Sequence, residues 1–208
     1  MGRQITINVP AMEDEYYPTG PASVCLEAPP QQQCCTAPKD FGKRPAATVI
    51  KVNKEKSAIL FSAETGGVSG WMTHFALLQP GAGDSLTDSF PFVASISNQG
   101  SYAFLSDPAI SDARIFVTAD ATPIPGPDES HYSDHRFIVS AYLLKTCDVL
   151  DEPHYFLQDQ FMTVRKYSSD LRVDILASEK PEILRRLRLV KLESDKTRHS
   201  TSPKPKSP

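Results

Sequence analysis

The chain has 208 residues, of which 40% are hydrophobic and 23% charged, with a formal net charge of −3. This composition is typical of a folded globular domain and argues against a chain that is disordered throughout. Nine Lys/Arg and four Asp/Glu follow from Ser178 onward, a balance of +5, so the preceding 177 residues carry −8. An acidic body argues against nucleic acid as a partner, and the absence of a long apolar run argues against a transmembrane segment.

Residues 1–45 are predicted to form a Pro-rich N-terminal arm. Proline fixes φ and lacks an N–H donor, so its repeated occurrence disfavours long helices and central strands. We therefore expect an ordered but irregular arm with one short strand near Ser23–Leu26. The prolines of this arm are Pro10, Pro18, Pro21, Pro29, Pro30, Pro38 and Pro45.

The arm also contains three of the four cysteines, Cys25, Cys34 and Cys35, and the fourth is Cys147. Neither a C-x-x-C spacing nor a nearby paired histidine is present, which argues against a zinc site. A disulfide from Cys25 to Cys34 or Cys35 is expected if the protein is exported, whereas four reduced thiols are expected in the cytoplasm.

Residues 46–177 are predicted to form a mainly β domain. Short runs rich in β-branched and aromatic residues, such as SAILFS, ARIFVTAD and RFIVSAYLL, alternate with turn sequences such as NKEK and SNQG. Eight or more strands at this spacing, without alternating helices, favour an antiparallel β-sandwich or an open barrel.

A C-terminal amphipathic helix is predicted over residues 178–193, with Ser178 as its N-cap. Apolar side chains fall on one helical face, which we expect to dock against the sheet, leaving the arginines in solvent or facing the acidic body. The alternative is that this helix contacts a partner chain. Residues 194–208 are basic and of low complexity and are predicted to be a disordered tail. The apolar face comprises Ile183, Leu184, Leu187 and Val190.

DESHYSDHRF, at residues 128–137, contains three acidic side chains and two histidines, His131 and His135. With a carboxylate such as Asp128, these imidazoles could bind one divalent transition metal. No H-E-x-x-H or similar zinc signature accompanies them, so a polar loop without metal is the preferred interpretation. Glu129 and Tyr132 belong to the same loop and are candidate ligand contacts together with the histidines.

GGVSGWMTHF contains Trp71, directly after a glycine cluster. Glycines let another molecule approach the backbone closely, and an exposed indole stacks on sugars or peptides. Burial of Trp71 in the core is nevertheless the preferred interpretation of the segment, and a ligand contact is the alternative. The segment lacks the phosphate-loop pattern and the G-x-S-x-G pattern of a nucleophilic serine.

The stretches DESHYSDHRFIVSAYLL and YFLQDQFMTVRKYSSDLRVDILASEKPEILRRLRLVK, together with GGVSGWMTHFALL, resemble uncharacterised, exported bacterial β-rich proteins of unknown function. This resemblance covers roughly the second half of the chain. It implies export and no particular activity, cofactor or catalytic residue.

The sequence thus favours a non-enzymatic binding domain without a cofactor, although it leaves enzymatic activity undecided. We expect its loops at one end of the sheet to contact a protein or glycan ligand, in the periplasm or outside the cell. A cytoplasmic location is the alternative, because MGRQITINVP lacks the features of a signal peptide. The rival function is a metal-dependent hydrolase that uses His131 and His135. The expected contact residues are Trp71, Glu129, His131, Tyr132 and His135.

Overall fold

Three antiparallel sheets and one C-terminal helix make up the part of the chain that the computed structural model describes. The protein is therefore mainly β and sandwich-like, and the described strands form open sheets rather than a closed barrel. The described residues are 4–13, 18–28, 31–36, 42–67, 70–80, 86–90, 94–121, 125–130, 132–147, 150–168 and 174–200.

The N-terminal sheet has the strand order β1-β2-β3, and the middle sheet has the order β4-β5-β6-β7, with β8 also paired to β6. The C-terminal sheet has the order β12-β11-β10-β9. The strands are β1 Gln4–Asn8, β2 Ser23–Ala28, β3 Gln31–Thr36, β4 Lys43–Lys51, β5 Ser57–Gly67, β6 Gly70–Pro80, β7 Leu86–Asp88, β8 Ala94–Ser97, β9 Ser101–Asp107, β10 Ser111–Ala121, β11 Phe137–Cys147 and β12 Leu150–Met162.

The longest apolar runs belong to strands that are buried on both faces. In β5, Leu60 faces the C-terminal sheet, whereas its neighbours Ile59 and Phe61 face the N-terminal sheet. In β10, Phe116 faces the middle sheet and Val117 faces the helix. Because successive side chains of a strand point to opposite faces, a strand between two layers needs apolar residues at every position. The order of layers is N-terminal sheet, middle sheet, C-terminal sheet, helix.

The N-terminal arm contains more regular structure than its proline content predicts. The short strand expected near Ser23–Leu26 is β2, and β1 and β3 flank it. Val24 is fully buried against the middle sheet, and Ala22 and Leu26 join the same core. The prolines of the described arm lie outside β2, the central strand of this sheet. Their missing N–H donors therefore do not interrupt the hydrogen-bond ladders of β2.

The helix α1, Ile175–Ser200, is longer at both ends than predicted. The N-cap is Asp174 rather than Ser178, since the Asp174 carboxylate accepts a hydrogen bond from the Ala177 N–H at 2.9 Å. Residues 194–200 are helical instead of disordered, as no proline or glycine occurs between Pro181 and Pro203 to end the helix. Residues 201–208 lie outside the described residues.

The predicted docking of the helix on the sheet is confirmed. Ile183 and Leu187 are almost fully buried against β10 and β11, and Leu184 packs beside them. Two helix arginines pair with the acidic body: Arg186 with Asp159 and Arg188 with Asp107, each at 2.6 Å.

Candidate binding surface at one end of the sandwich

The β5–β6 hairpin and the loop that precedes β11 lie at the same end of the sandwich. Met72 pairs with Ser97 in the middle sheet, and the Ser97 N–H donates to the Asp120 carboxylate at 2.9 Å. Asp120 in turn pairs with Ile138 at the start of β11. These contacts connect the start of β6, where Trp71 lies, to the start of β11, which follows His135.

Trp71 is 40% exposed at the tip of the β5–β6 hairpin, so the prediction that it is buried in the core is wrong. It pairs with Gly66, whose φ of +109° favours glycine. A Cβ on Gly66 would lie 2.5 Å from the carbonyl oxygen of Gly70, so a side chain there would force the hairpin to shift. By strand alternation Trp71 lies on the same face as Phe75, the face that packs against the C-terminal sheet.

The Glu129 side chain is only 1% exposed, although sequence reasoning treats it as a surface contact. Its carboxylate accepts a 2.6 Å hydrogen bond from Arg136 Nε and lies 3.8 Å from Lys166 Nζ. Burial raises the pKa of Glu129, but the hydrogen bonds from Arg136 and from the backbone of Gly126 and Arg136 outweigh that effect and hold the pKa below its usual value. Glu129 is therefore a charged internal brace of the loop.

His135 is also buried, with 3% of its surface exposed. Its ring stacks on Phe137 at a centroid distance of 4.7 Å, and its Nδ1 lies 2.8 Å from the Ser133 carbonyl oxygen. The backbones of His135 and Tyr167 exchange two hydrogen bonds of 3.1 and 2.9 Å. Because an Nδ1 that donates to a carbonyl leaves only Nε2 for other partners, His135 has limited capacity to contact a ligand.

Tyr132 occupies the tip of the same loop and is 87% exposed. Beneath it a compact turn forms: the Ser133 N–H donates to the Ser130 carbonyl at 3.2 Å, and the Ser130 N–H donates to Ser133 Oγ at 2.8 Å. These short local bonds explain why a Ser-x-x-Ser sequence gives a defined turn here. His131 lies outside the described residues.

Two more apolar side chains are exposed at this end, Met162 and Val164. Met162 pairs with Ile138, and the Thr163 N–H donates to the Phe137 carbonyl at 2.8 Å, so both flank the start of β11. Val164 is 99% exposed. We call the surface formed by Trp71, Tyr132, Met162 and Val164 the aromatic end.

The proposed metal site is incomplete within the part of the chain that the structure describes. No group of three or more His, Cys, Asp or Glu side chains there could hold a metal ion. Asp128 is exposed, and His135 is oriented by the Ser133 carbonyl. Since His131 is outside the described residues, the metal-dependent hydrolase with a site at His131, His135 and Asp128 stays a prediction.

Asp88 has a shifted pKa that the sequence alone does not indicate. Its Oδ1 accepts hydrogen bonds from the backbone N–H of Leu77 at 2.9 Å and of Phe90 at 3.0 Å. Burial raises the pKa of Asp88 to about 6, although these bonds and the nearby His154 act in the opposite direction. Asp88 and His154 are 66 residues apart in sequence, so only the fold reveals that they interact.

Cys25 lies directly opposite Cys34 in the β2–β3 ladder. Cys25 is fully buried. The side chains of Cys34, Cys35 and Cys147 lie outside the described residues, so a disulfide at Cys25 stays a prediction.

Comparisons with protein-family models, with curated proteins and with solved structures find no match to this chain. Among the described helices, none has the length and apolar character needed to cross a membrane.

Proposed function

We propose that this protein is a non-enzymatic binding module and that its contact surface is the aromatic end. The observation that carries the proposal is that four exposed apolar side chains lie at the same end of the sandwich. Exposed apolar residues that cluster next to rigid elements are typical of interaction sites, whereas isolated ones are ordinary.

A protein ligand fits this surface better than a glycan. Trp71 and Tyr132 alone would suit stacking on sugar rings, but Met162 and Val164 add flexible and aliphatic apolar area beside them. Aromatic residues and methionine are enriched where proteins contact one another, and an aliphatic side chain offers little to a hydroxyl-rich sugar. A glycan ligand is therefore an alternative outcome of the test below.

Glu129 and His135 support the surface from beneath and are not proposed as direct contacts. The Glu129–Arg136 ion pair and the His135–Tyr167 backbone bridge fix the loop on either side of Tyr132. A loop held in one conformation loses less entropy on binding, so preorganisation of this kind strengthens an interaction.

The experiment is selection of a displayed random-peptide library on the wild-type protein, in parallel with a glycan array. Selected peptides should bind the Trp71→Ala/Tyr132→Ala double variant about tenfold or more weakly, as expected for aromatic interface residues. The matched control is Val49→Ala/Leu157→Ala, which removes two exposed apolar side chains elsewhere on the body.

Equal loss of peptide binding in both double variants would mean that exposed apolar area in general is responsible for binding. Unchanged peptide binding by the Trp71→Ala/Tyr132→Ala variant would show that the aromatic end is not the contact surface. Binding to sugars alone would replace the protein ligand with a glycan while keeping the surface.

We also propose that the protein is exported and contains a Cys25–Cys34 disulfide. The register that places these residues opposite each other supports the pairing, since directly cross-strand residues have Cα separations within the range of disulfides. Persistent disulfides are characteristic of oxidising compartments, which supports export. Fractionation of the native cells with an antibody against the protein tests the location.

A further inference from the structure

We infer that a second site, at the opposite end of the sandwich from the aromatic end, binds a small anionic molecule through a phosphate or carboxylate group. A cavity of about 440 Å³ lies there between the β4–β5 turn and the β9–β10 turn. Its volume falls within the range of small-molecule sites. We call it the basic cleft, defined by Lys51, Lys54, Ser106, Ser111 and Arg114.

The walls of the basic cleft are joined by hydrogen bonds, so the cavity is formed before any ligand arrives. The Arg114 N–H donates to the Val52 carbonyl at 2.7 Å, which links the two turns directly. Asn53 Oδ1 accepts from the N–H groups of Glu55 and Lys56 and fixes the first turn. The Ile110 N–H donates to the Asp107 carbonyl at 2.9 Å and fixes the second.

Arg114 differs from the other arginines whose side chains the structure describes. Within the described residues, no carboxylate oxygen lies within 4.0 Å of the charged nitrogens of Lys51, Lys54 or Arg114. Among those other arginines, Arg165 lies over the Tyr167 ring at 5.2 Å, and five pair with carboxylates. Those paired arginines are Arg44, Arg136, Arg185, Arg186 and Arg188.

The acidic residues of the lining do not cancel this positive charge. Asp107 faces the cleft, but its carboxylate is held by Arg188 of the helix at 2.6 Å. Asp112 is the remaining acid of the lining, and it is exposed. Three cations therefore face one carboxylate that has no basic partner within the described residues. In an otherwise acidic body, such a local excess of positive charge attracts an anion.

The side chains present define the class of ligand. Arginine binds planar carboxylates and phosphates with two parallel hydrogen bonds, and lysine adds a point charge. The hydroxyl groups of Ser106 and Ser111 can donate to further oxygen atoms. The cleft therefore suits a molecule with one phosphate or carboxylate group and a small polar body.

The experiment is isothermal titration of the full-length protein with inorganic phosphate and with glucose 6-phosphate, using neutral glucose as the reference. We expect saturable binding of the phosphates with Kd values of about 0.1–5 mM and no binding of glucose. The Lys51→Ala/Lys54→Ala variant should weaken phosphate binding by about tenfold, since two charge-assisted contacts are lost. Both lysines are exposed, so truncation should leave the fold intact.

The matched control is Lys180→Ala/Lys196→Ala, which removes the same charge from two exposed lysines that do not line the cleft. Asp112→Asn should strengthen phosphate binding severalfold, while Asp195→Asn on the helix should not. Absence of saturable binding at about 20 mM phosphate, or equal weakening in both lysine variants, would overturn the site.

Discussion

Arg136 Nε lies 2.6 Å from Glu129 Oε1, and the Glu129 side chain is almost completely excluded from solvent. Arg136 follows Glu129 by seven positions in sequence, and Tyr132 lies between them. The loop whose tip exposes the Tyr132 ring is thus closed by an ion pair whose carboxylate, that of Glu129, is buried. This arrangement explains how a segment rich in serine and acidic residues holds one conformation.

The first prediction concerns this ion pair. Arg136→Met should lower the melting temperature more than the Glu129→Gln/Arg136→Met double variant, because the single change leaves a buried carboxylate without its guanidinium. Thermal unfolding followed by circular dichroism at neutral pH provides the measurement. If the double variant is the less stable of the two, the pair does not brace the loop as described.

The second prediction is a pH dependence caused by Asp88, whose pKa burial raises from 3.8 to about 6. Stability from the protonated carboxyl is fully present below pH 3.8 and is lost as the pH rises through about 6, because ionisation costs more in the folded protein. Between about pH 4 and pH 8 the wild type should lose about 2 kcal/mol of stability more than Asp88→Asn.

Urea unfolding of both proteins at the two pH values measures that difference. The asparagine retains the Oδ1 that accepts from Leu77 and Phe90, so the fold should be preserved. Parallel stability curves for wild type and variant across this pH range would show that Asp88 is already ionised in the folded state at low pH.

Much of the fold can be predicted from the sequence, because a strand between two apolar layers needs an uninterrupted apolar run. SAILF and ARIFV are such runs, and both become strands that are buried on two faces. The sequence does not determine the start of the helix, because Asp174 and Ser178 are both good N-caps and only the packing of Ile175 and Leu176 in the core favours the earlier one.

The candidate site could be predicted only in part. A loop composition that is rich in Asp, Ser and His does not reveal which side chain faces inward, and Glu129 and His135 are buried because Arg136 and Tyr167 provide partners. Tyr167 is 32 residues from His135, a separation at which sequence patterns carry no contact information. Exposure of Trp71 follows from its place at a hairpin tip.

The third prediction concerns the disulfide. Cleavage of the unreduced protein after glutamate should leave the fragment with Cys25 linked to the one with Cys34 and Cys35, as seen by mass spectrometry. Cys35→Ser should preserve the link, whereas Cys34→Ser should abolish it or shift it to Cys35. Loss of the bond should lower stability by about 2–3 kcal/mol, as expected for a short closed loop. A free Cys25 thiol in protein from its native compartment would contradict both the bond and export.

The fourth prediction separates a helix that belongs to the core from one that serves a partner chain. Leu187 is almost fully buried, so Leu187→Ala should cost about 2–4 kcal/mol of unfolding free energy. Leu189 is 47% exposed, and Leu189→Ala should change stability by less than about 0.5 kcal/mol. Denaturant titration gives both values. Similar small effects of the two changes would mean that the helix is not part of the folded core.

The central claim is that the aromatic end contacts the ligand, and Trp71 allows a direct test because it is the only tryptophan of the chain. Its fluorescence can be recorded while a selected peptide is titrated, together with quenching by acrylamide. Our account predicts a saturable change in emission and protection of Trp71 from the quencher, with the same midpoint as binding measured by calorimetry. Peptide binding that leaves both the emission and the quenching of Trp71 unchanged would contradict it.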